Sequence, residues 1–304
     1  MSALTPRPEK EQNLGFAGAE RLQNPNSAIF TMARLTFREA SRRWILWVAL
    51  LMGLLFLGVF ALGFHEIVQD VHRRAGTRPA AQESEIYNFM VMAGLYAVNF
   101  LTVMMAVLTS VDTLAGEIAS GTIHTLVSKP VRRWEIVLGK WLGFAAMLLA
   151  YLLLMAGGVM GVVYLISGYT PPNALRGLVW MGFNALLLLS VSFMGGASLS
   201  TLANGVLVFG LYGVAFIGGW IEQFGSLLSN QTAINIGIVC SLILPSEALW
   251  RRAAYEMQSP LVTAIGFSPF YSSSVPSPLM LAYAALYLLA ALGLALRQFQ
   301  RRDL

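Results

Sequence analysis

Apolar and polar positions alternate along this chain on the scale of a bilayer. Six runs rich in Leu, Ala, Val, Phe and Met, at about residues 44–64, 87–109, 141–166, 177–199, 203–220 and 279–297, are each long enough to cross the membrane as a helix. About 20 apolar residues span roughly 30 Å of hydrocarbon. A backbone in lipid must satisfy its own hydrogen bonds, so such runs predict helices. The expected fold class is all-α: a polytopic membrane protein with six transmembrane helices. One polar stretch, Val111 to Lys140, stands apart, holding acids, bases, a His, two Gly and a Pro between two greasy runs.

Residues 1–26, with Pro6, Pro8, Pro25 and many polar side chains, read as a disordered cytoplasmic tail. From Ser27 the spacing changes. Phe30, Ala33, Phe37, Ala40 and Trp44 recur at helical intervals, and Arg34, Arg38 and Arg42 recur four apart on another face. This pattern predicts an amphipathic interface helix over 27–43, lying along the headgroups before the first span. Thr36 and Glu39 have capping-box spacing but sit inside the periodic run, where no helix begins. Residues 27–304 are then expected to form a single transmembrane domain. The region 221–278, between spans five and six, contains the apolar run INIGIVCSLIL and prolines at 245, 260, 269, 276 and 278. It reads as partly helical and external. The segment 231–244 is an external helix or a re-entrant dip in preference to a seventh span, because a seventh crossing would separate the arginine clusters.

Charge places the ends. The chain carries 20 Lys and Arg against 15 Asp and Glu, a net +5, and the bases gather beside the apolar runs. Arg34, Arg38, Arg42 and Arg43 precede span one, Lys129, Arg132, Arg133 and Lys140 lie between spans two and three, and Arg297, Arg301 and Arg302 follow span six. The positive-inside rule puts both termini and the loop 110–140 in the cytoplasm. The loop at about 65–86 is external, where Glu66, Asp70, Glu83 and Glu85 offset Arg73, Arg74 and Arg78. With 57% hydrophobic and 12% charged residues, and a mean hydropathy of +0.65, a large soluble domain is excluded. There is no basic face for nucleic acid. The single Cys240 offers no disulfide. The first forty or so residues lack the short apolar core and small-residue cleavage site of a secretory signal, so span one is expected to act as an uncleaved anchor.

The spans as drawn hold no Asp, Glu, Lys or His in their interiors, which weakens an ion-coupled carrier. A phosphate-binding GxxxxGK[ST] loop is missing: Gly139-Lys140 is followed by Trp141, and Trp134 stands where the first Gly belongs. His65-Glu66 begins a zinc-protease motif that Gln69 does not complete, and His65 with His72 is a poor metal set. Gly196-Ala197-Ser198 lacks the Gly of a nucleophile elbow, since Leu199 follows. Such small residues, like Gly157 and Gly161 four apart in span three, suit close helix packing. Asn230-Gln231-Thr232 matches the short pattern of a glycosylation acceptor.

Within the polar stretch, Val111 to Val127 is expected to continue span two as a helix into the cytoplasm. Ser120-Gly121-Thr122 supplies a break, Pro130 forces a turn, and Arg132 to Lys140 leads into span three. The run Glu117-x3-Gly121-Thr122-x3-Leu126, followed by Lys129-Pro130-Val131-Arg132-Arg133-x5-Gly139-Lys140, resembles the signature of type-2 ABC transporter permeases. The ending Phe299-Gln300-Arg301-Arg302-Asp303-Leu304 is similar to that family's usual C-terminus. The nearest flavour is the permeases loosely labelled as involved in multicopper-enzyme maturation. Arg132 departs from the Ser or Thr that often precedes the motif's Arg.

The resemblance implies a cytoplasmic coupling helix around Glu117 to Gly121, seated in a groove of a separate ATPase subunit. It assigns coupling to Glu117, Gly121, Thr122, Leu126, Pro130, Arg132, Arg133, Gly139 and Lys140, and membrane-interface contact to Arg34, Arg38 and Arg42. It also implies a second permease copy, as homodimer or related heterodimer, and a path starting between spans two and five. No cofactor would be bound by this chain, ATP and Mg belonging to the ATPase. The expected setting is the bacterial or archaeal inner membrane, with lipids as partners. The residues alone leave two other readings: a non-transporting anchor that recruits a cytoplasmic protein through the same loop, and a lipid-modifying enzyme using Glu247, Arg251 and Arg252.

Overall fold

The computed structural model describes residues 25–73, 80–119, 132–259 and 275–301. All of their regular structure is helical. The helices are α1 (Pro25–Arg42), α2 (Trp44–Arg73), α3 (Ala80–Ser110), α4 (Ala115–Ala119) and α5 (Arg133–Ser167). There follow α6 (Ala174–Gly196), α7 (Thr201–Leu227), α8 (Gln231–Ile243), α9 (Ser246–Met257) and α10 (Pro278–Arg301). Six of them, α2, α3, α5, α6, α7 and α10, are long and apolar enough to cross a membrane, and they coincide with the six predicted runs.

The helices overrun the apolar runs because hydrogen bonding, not greasiness, ends them. Beyond Phe64, α2 continues to Arg73, with Gln69 donating to His65 Nε2 at 2.8 Å and Arg73 donating to Gln69 at 3.2 Å, each four residues apart. At the other extreme, α5 opens at Arg133, ahead of the run, because the Glu135 carboxylate folds back to accept the Arg132 N–H at 3.0 Å. Pro25 and Asn26, expected in the tail, belong to α1, where a first-turn proline forfeits no helical bond. The rest of the tail, residues 1–24, lies outside the described residues.

The bundle core lies among α3, α5 and α6. Leu95, Val98, Leu148, Met155, Leu188 and Val191 are fully enclosed there. Buried polar pairs knit the same layer. Asn184 donates to Asn99 at 3.2 Å, Ser110 to Ser192 at 2.8 Å, and the Trp141 indole to Ser190 at 3.1 Å. By contrast, only 6% of the apolar window of α2 is buried, so that helix rides on the outside of the bundle.

The segment α8–α9 settles the fate of the short apolar run. α8 turns back along α7 at close range: a Cβ on Gly225 would meet Ala233, one on Gly237 would meet Glu222, and one on Gly218 would meet Cys240. At 13 residues α8 is about 20 Å long, too short to cross. A bend of 106° separates it from α9. α9 then returns toward the face it came from. Glu247 lies against Gly219, and Met257 lies against Gly177 near the start of α6. The Met257 carbonyl accepts from Asn88 near the start of α3. Both ends of the pair therefore sit on one face, and α8–α9 is a re-entrant dip.

Asn230 serves as a helix cap, its Oδ1 accepting from the Thr232 and Ala233 N–H groups at 3.1 and 3.2 Å. The spacing that reads as a glycosylation acceptor is a helix start. A second polar knot closes the same face, where Asn88 donates to Tyr169 at 2.9 Å, Ser259 donates its backbone N–H to Asn88 at 3.2 Å, and the Ser259 hydroxyl bonds Glu85. Burial pushes the Tyr169 phenol above its usual value, with the Asn88 hydrogen bond opposing and Glu85 adding.

Candidate coupling site

The opposite face gathers α1, α4, the start of α5, the end of α6, the start of α7 and the end of α10. Chain connectivity across six spans places them together, and specific contacts lock them. Ser198 donates to Gln298 at 3.1 Å, joining the end of α6 to α10. Arg133 reaches the Gln300 carbonyl at 3.5 Å.

α1 lies directly on α5, and glycine makes this possible. A Cβ on Gly139 would stand 2.5 Å from Met32 Cβ and 3.0 Å from the Ile29 carbonyl oxygen. One on Gly143 would stand 2.7 Å from the Ala33 carbonyl oxygen and 2.8 Å from Thr36 Cβ. Gly139 and Gly143 are thus the small-xxx-small pair that brings two backbones together. Gly157 and Gly161, for which the same role is expected, have no atom within 4 Å of where a Cβ would sit. Close packing does not explain them within this chain, because they face away from the bundle.

This contact also splits the apolar stripe read along α1. Ala40 is buried, as are Ala28 and Thr36, while Phe30 and Phe37 are exposed, as is Trp44 at the head of α2. Arg34, Arg38 and Arg42 form an exposed row. The helix thus has a small-residue side for the protein, an aromatic side and a basic side, which suits the interface between lipid and water. Thr36 and Glu39 do not cap a helix: Thr36 packs on Gly143, and Glu39 pairs with Arg43 at 3.0 Å.

Span two continues past Ser110 as far as Glu117, as expected. Its ladder tightens at Val111–Leu114 into a turn in which Thr113 N–H bonds the Ser110 carbonyl at 3.0 Å, while Gly116 N–H still bonds the Asp112 carbonyl at 2.9 Å. Thr109 and Thr113 also bond carbonyls four residues back, at 2.7 and 3.2 Å, a habit that bends helices. The five-residue α4 then carries Glu117, whose carboxylate forms an ion pair with Lys140 of α5. Lys140 is 4% exposed. A lysine so enclosed needs its partner, since breaking a buried pair leaves a charge without compensation. The motif's Glu117 and Lys140 therefore face one another, and Gly139 faces α1. Arg132 is exposed and half-buried Arg133 points toward α10. Gly121, Thr122, Leu126 and Pro130 lie outside the described residues.

The turn is anchored on its other side by α7. Thr201 donates its hydroxyl to Asp112 Oδ1 at 2.9 Å. Asn204, fully buried, donates to the Val111 carbonyl at 3.1 Å and to the Ser192 carbonyl at 2.9 Å. Sequence reasoning missed Asp112–Thr201 and Asn204. The only signal for Asn204 was an amide within an otherwise apolar run.

On the far face, Glu222 of α7 pairs with Arg251 of α9 at 2.5 Å, both side chains 9% exposed, and Arg251 also donates to the Gly219 carbonyl at 3.2 Å. Arg252 pairs with Glu256 at 2.5 Å. Arg251 ties α9 to α7, while the Arg252–Glu256 pair, four residues apart, lies within α9 itself. Of the group suggested for lipid chemistry, Arg251 is committed to α7 and Glu247 lies against Gly219. Among the described residues no group of three or more His, Cys, Asp or Glu is placed to hold a metal ion.

An all-helical chain with six candidate spans, α1 packed on the third and a braced short helix at the end of the second, defines a multi-span membrane protein. The family model for ABC-2 family transporter protein matches residues 30–304, and the chain belongs to that family. Over 210 residues it is 26% identical to NosY of Stutzerimonas stutzeri, named as a probable ABC transporter permease protein, across 62% of this chain and 70% of that protein. The chain is an ABC transporter permease, as the Glu117–Lys140 motif led us to expect.

Proposed function

We propose that this chain is the transmembrane subunit of an exporter whose energy comes from a separate ATPase, docked on the face that carries α4. The observation that carries this reading is the bracing of α4. A five-residue helix gains little stability by itself, yet this one is tied to α5 by Glu117–Lys140 and rooted on α7 by Asp112–Thr201. A helix held so rigidly to the bundle suits the transmission of force. The missing phosphate-binding loop supports an outside source of that force.

In this reading the α4 face and both termini are cytoplasmic, in agreement with the arginine clusters. Two permease copies, identical or related, pair in the inner membrane. ATP and Mg are held by the ATPase dimer, whose closure pushes on α4 and α1 and rocks the two permeases. The substrate is hydrophobic or amphipathic, a reading supported by the apolar character of the spans. Arg34, Arg38 and Arg42 meet lipid headgroups.

Co-expression with candidate ATPases and pull-down from detergent tests the proposal. The expected result is a stable complex whose ATP hydrolysis falls on replacing Glu117 or Gly121. A permease that recruits some other cytoplasmic protein, and no ATPase, would favour the anchor reading.

A further inference from the structure

We infer that Thr201 and Asn204 are positioning residues that carry movement of α4 into α7, so that the fifth span is driven from its α4 end. This rests on the proposed function. The turn Val111–Leu114 joins α3 to α4, and two of its polar groups are held by α7 rather than by its own helix. Asp112 Oδ1 accepts the Thr201 hydroxyl, and the Val111 carbonyl accepts from Asn204.

Asn204 is set in a built site. Both acceptors are carbonyl oxygens, so the amide nitrogen must face them, and its two protons are used at 3.1 and 2.9 Å. Glycine clears the space: a Cβ on Gly195 would fall 2.1 Å from Asn204 Oδ1, and one on Gly196 would fall 3.2 Å from Asn204 Nδ2. Leu114 closes the same gap, 3.5 Å from the Gly196 position. The turn is therefore wedged against the end of α6 and bolted to the start of α7.

Elsewhere α7 touches α3 through rings that can slide and, toward the opposite face and far from the turn, through the Trp220 indole N–H, which donates to the Tyr96 hydroxyl at 3.1 Å. Phe100 lies 6.3 Å from Tyr212 and 6.4 Å from Phe216 between centroids. Hydrogen bonds have direction and stacked rings have little, so a displacement of the turn is conveyed at Asp112–Thr201 and Val111–Asn204. Through Glu117–Lys140 the same displacement reaches α5 and the α1 packed on it. One small helix thereby addresses two parts of the bundle.

The test uses the whole transporter, permease with its ATPase, in lipid nanodiscs. Spin labels replace the exposed Leu165 on α5 and Leu228 just past α7 in a Cys240→Ser background, and the distance between them is read with and without ATP–vanadate trapping. The unmodified chain is expected to shift on trapping. Thr201→Val is expected to lower the shifted population about fivefold, the weight of one hydrogen bond. Thr201→Ser, which keeps the hydroxyl, and Asp112→Asn, which keeps an acceptor, retain the shift. Asn204→Leu loses it. An unchanged shift in both Thr201→Val and Asn204→Leu overturns the inference, as does an equal loss in Thr201→Ser, which would indicate packing alone. An unmodified transporter in which α7 does not move also overturns it. Failure of the permease to bind any ATPase appears earlier, at complex formation, and removes the coupling reading itself.

Discussion

Glu117 and Lys140, 23 residues apart in the chain, meet as an ion pair between α4 and the second turn of α5, and the lysine is almost wholly enclosed. The pair closes the two ends of the polar stretch upon each other.

Removing one member should cost more than removing both. Glu117→Gln leaves Lys140 without its countercharge and is expected to destabilise by about 3 kcal/mol, the low end for buried pairs, because Glu117 keeps some solvent contact. Glu117→Gln combined with Lys140→Met should recover more than half of that loss. Thermal unfolding of the four variants as a double-mutant cycle checks it, and strict additivity would contradict the pairing.

Gly139→Ala should loosen α1 from α5, since its Cβ would press on Met32 and on the Ile29 backbone; overpacking of this kind costs about 1–3 kcal/mol. Gly157→Ala faces open space and should leave stability equal or raise it by up to about 1 kcal/mol through helix propensity. Protease sensitivity at the α1–α2 junction compares the two. If Gly157→Ala is the more disruptive, a second copy occupies that face.

Arg251→Met strands Glu222 and should release α8 from α7. Cys240, set against Gly218, reports this directly, and its maleimide labelling is expected to rise more than tenfold. Replacing Glu222 and Arg251 together by Gln and Met should restore much of the protection. Equal labelling in all variants would show that the pair does not hold the dip.

Changing Arg34, Arg38 and Arg42 together to Gln removes a basic row near the membrane surface, where each such charge is worth about 1 kcal/mol toward anionic lipid. The unmodified chain should melt higher in phosphatidylglycerol nanodiscs than in phosphatidylcholine, and the triple variant should lose that difference. High salt should lower the gap in the unmodified chain.

Much of this architecture was open to a reader of the residues. Six helices follow from six apolar runs, because a backbone in lipid has no other partner than itself. The break between α1 and α2 at Arg43 falls where the arginine row ends and Trp44 begins. Helix ends were read short wherever a polar extension continued the hydrogen-bond ladder, as at Gln69 and Arg73 or at Glu135. That the arginine clusters share one face follows from their spacing between the spans, and the contacts of α10 with Arg133 and Ser198 bring that face together.

The chain by itself determined the class of fold and the family, because hydrophobicity and a motif are properties of residues in order. Only the tertiary structure decided which polar residues meet. Hydrophobic scales cannot tell a face that greets lipid from one that greets another helix, so Gly139 and Gly143 could not be chosen over Gly157 and Gly161. Pairing is likewise a matter of distance in space: Glu222 finds Arg251 across a bend of 106°, and Asn204 finds the Val111 carbonyl after 93 residues. The polar stretch was legible as a place of contact. That it is bolted to the fifth span as well as the third required the fold.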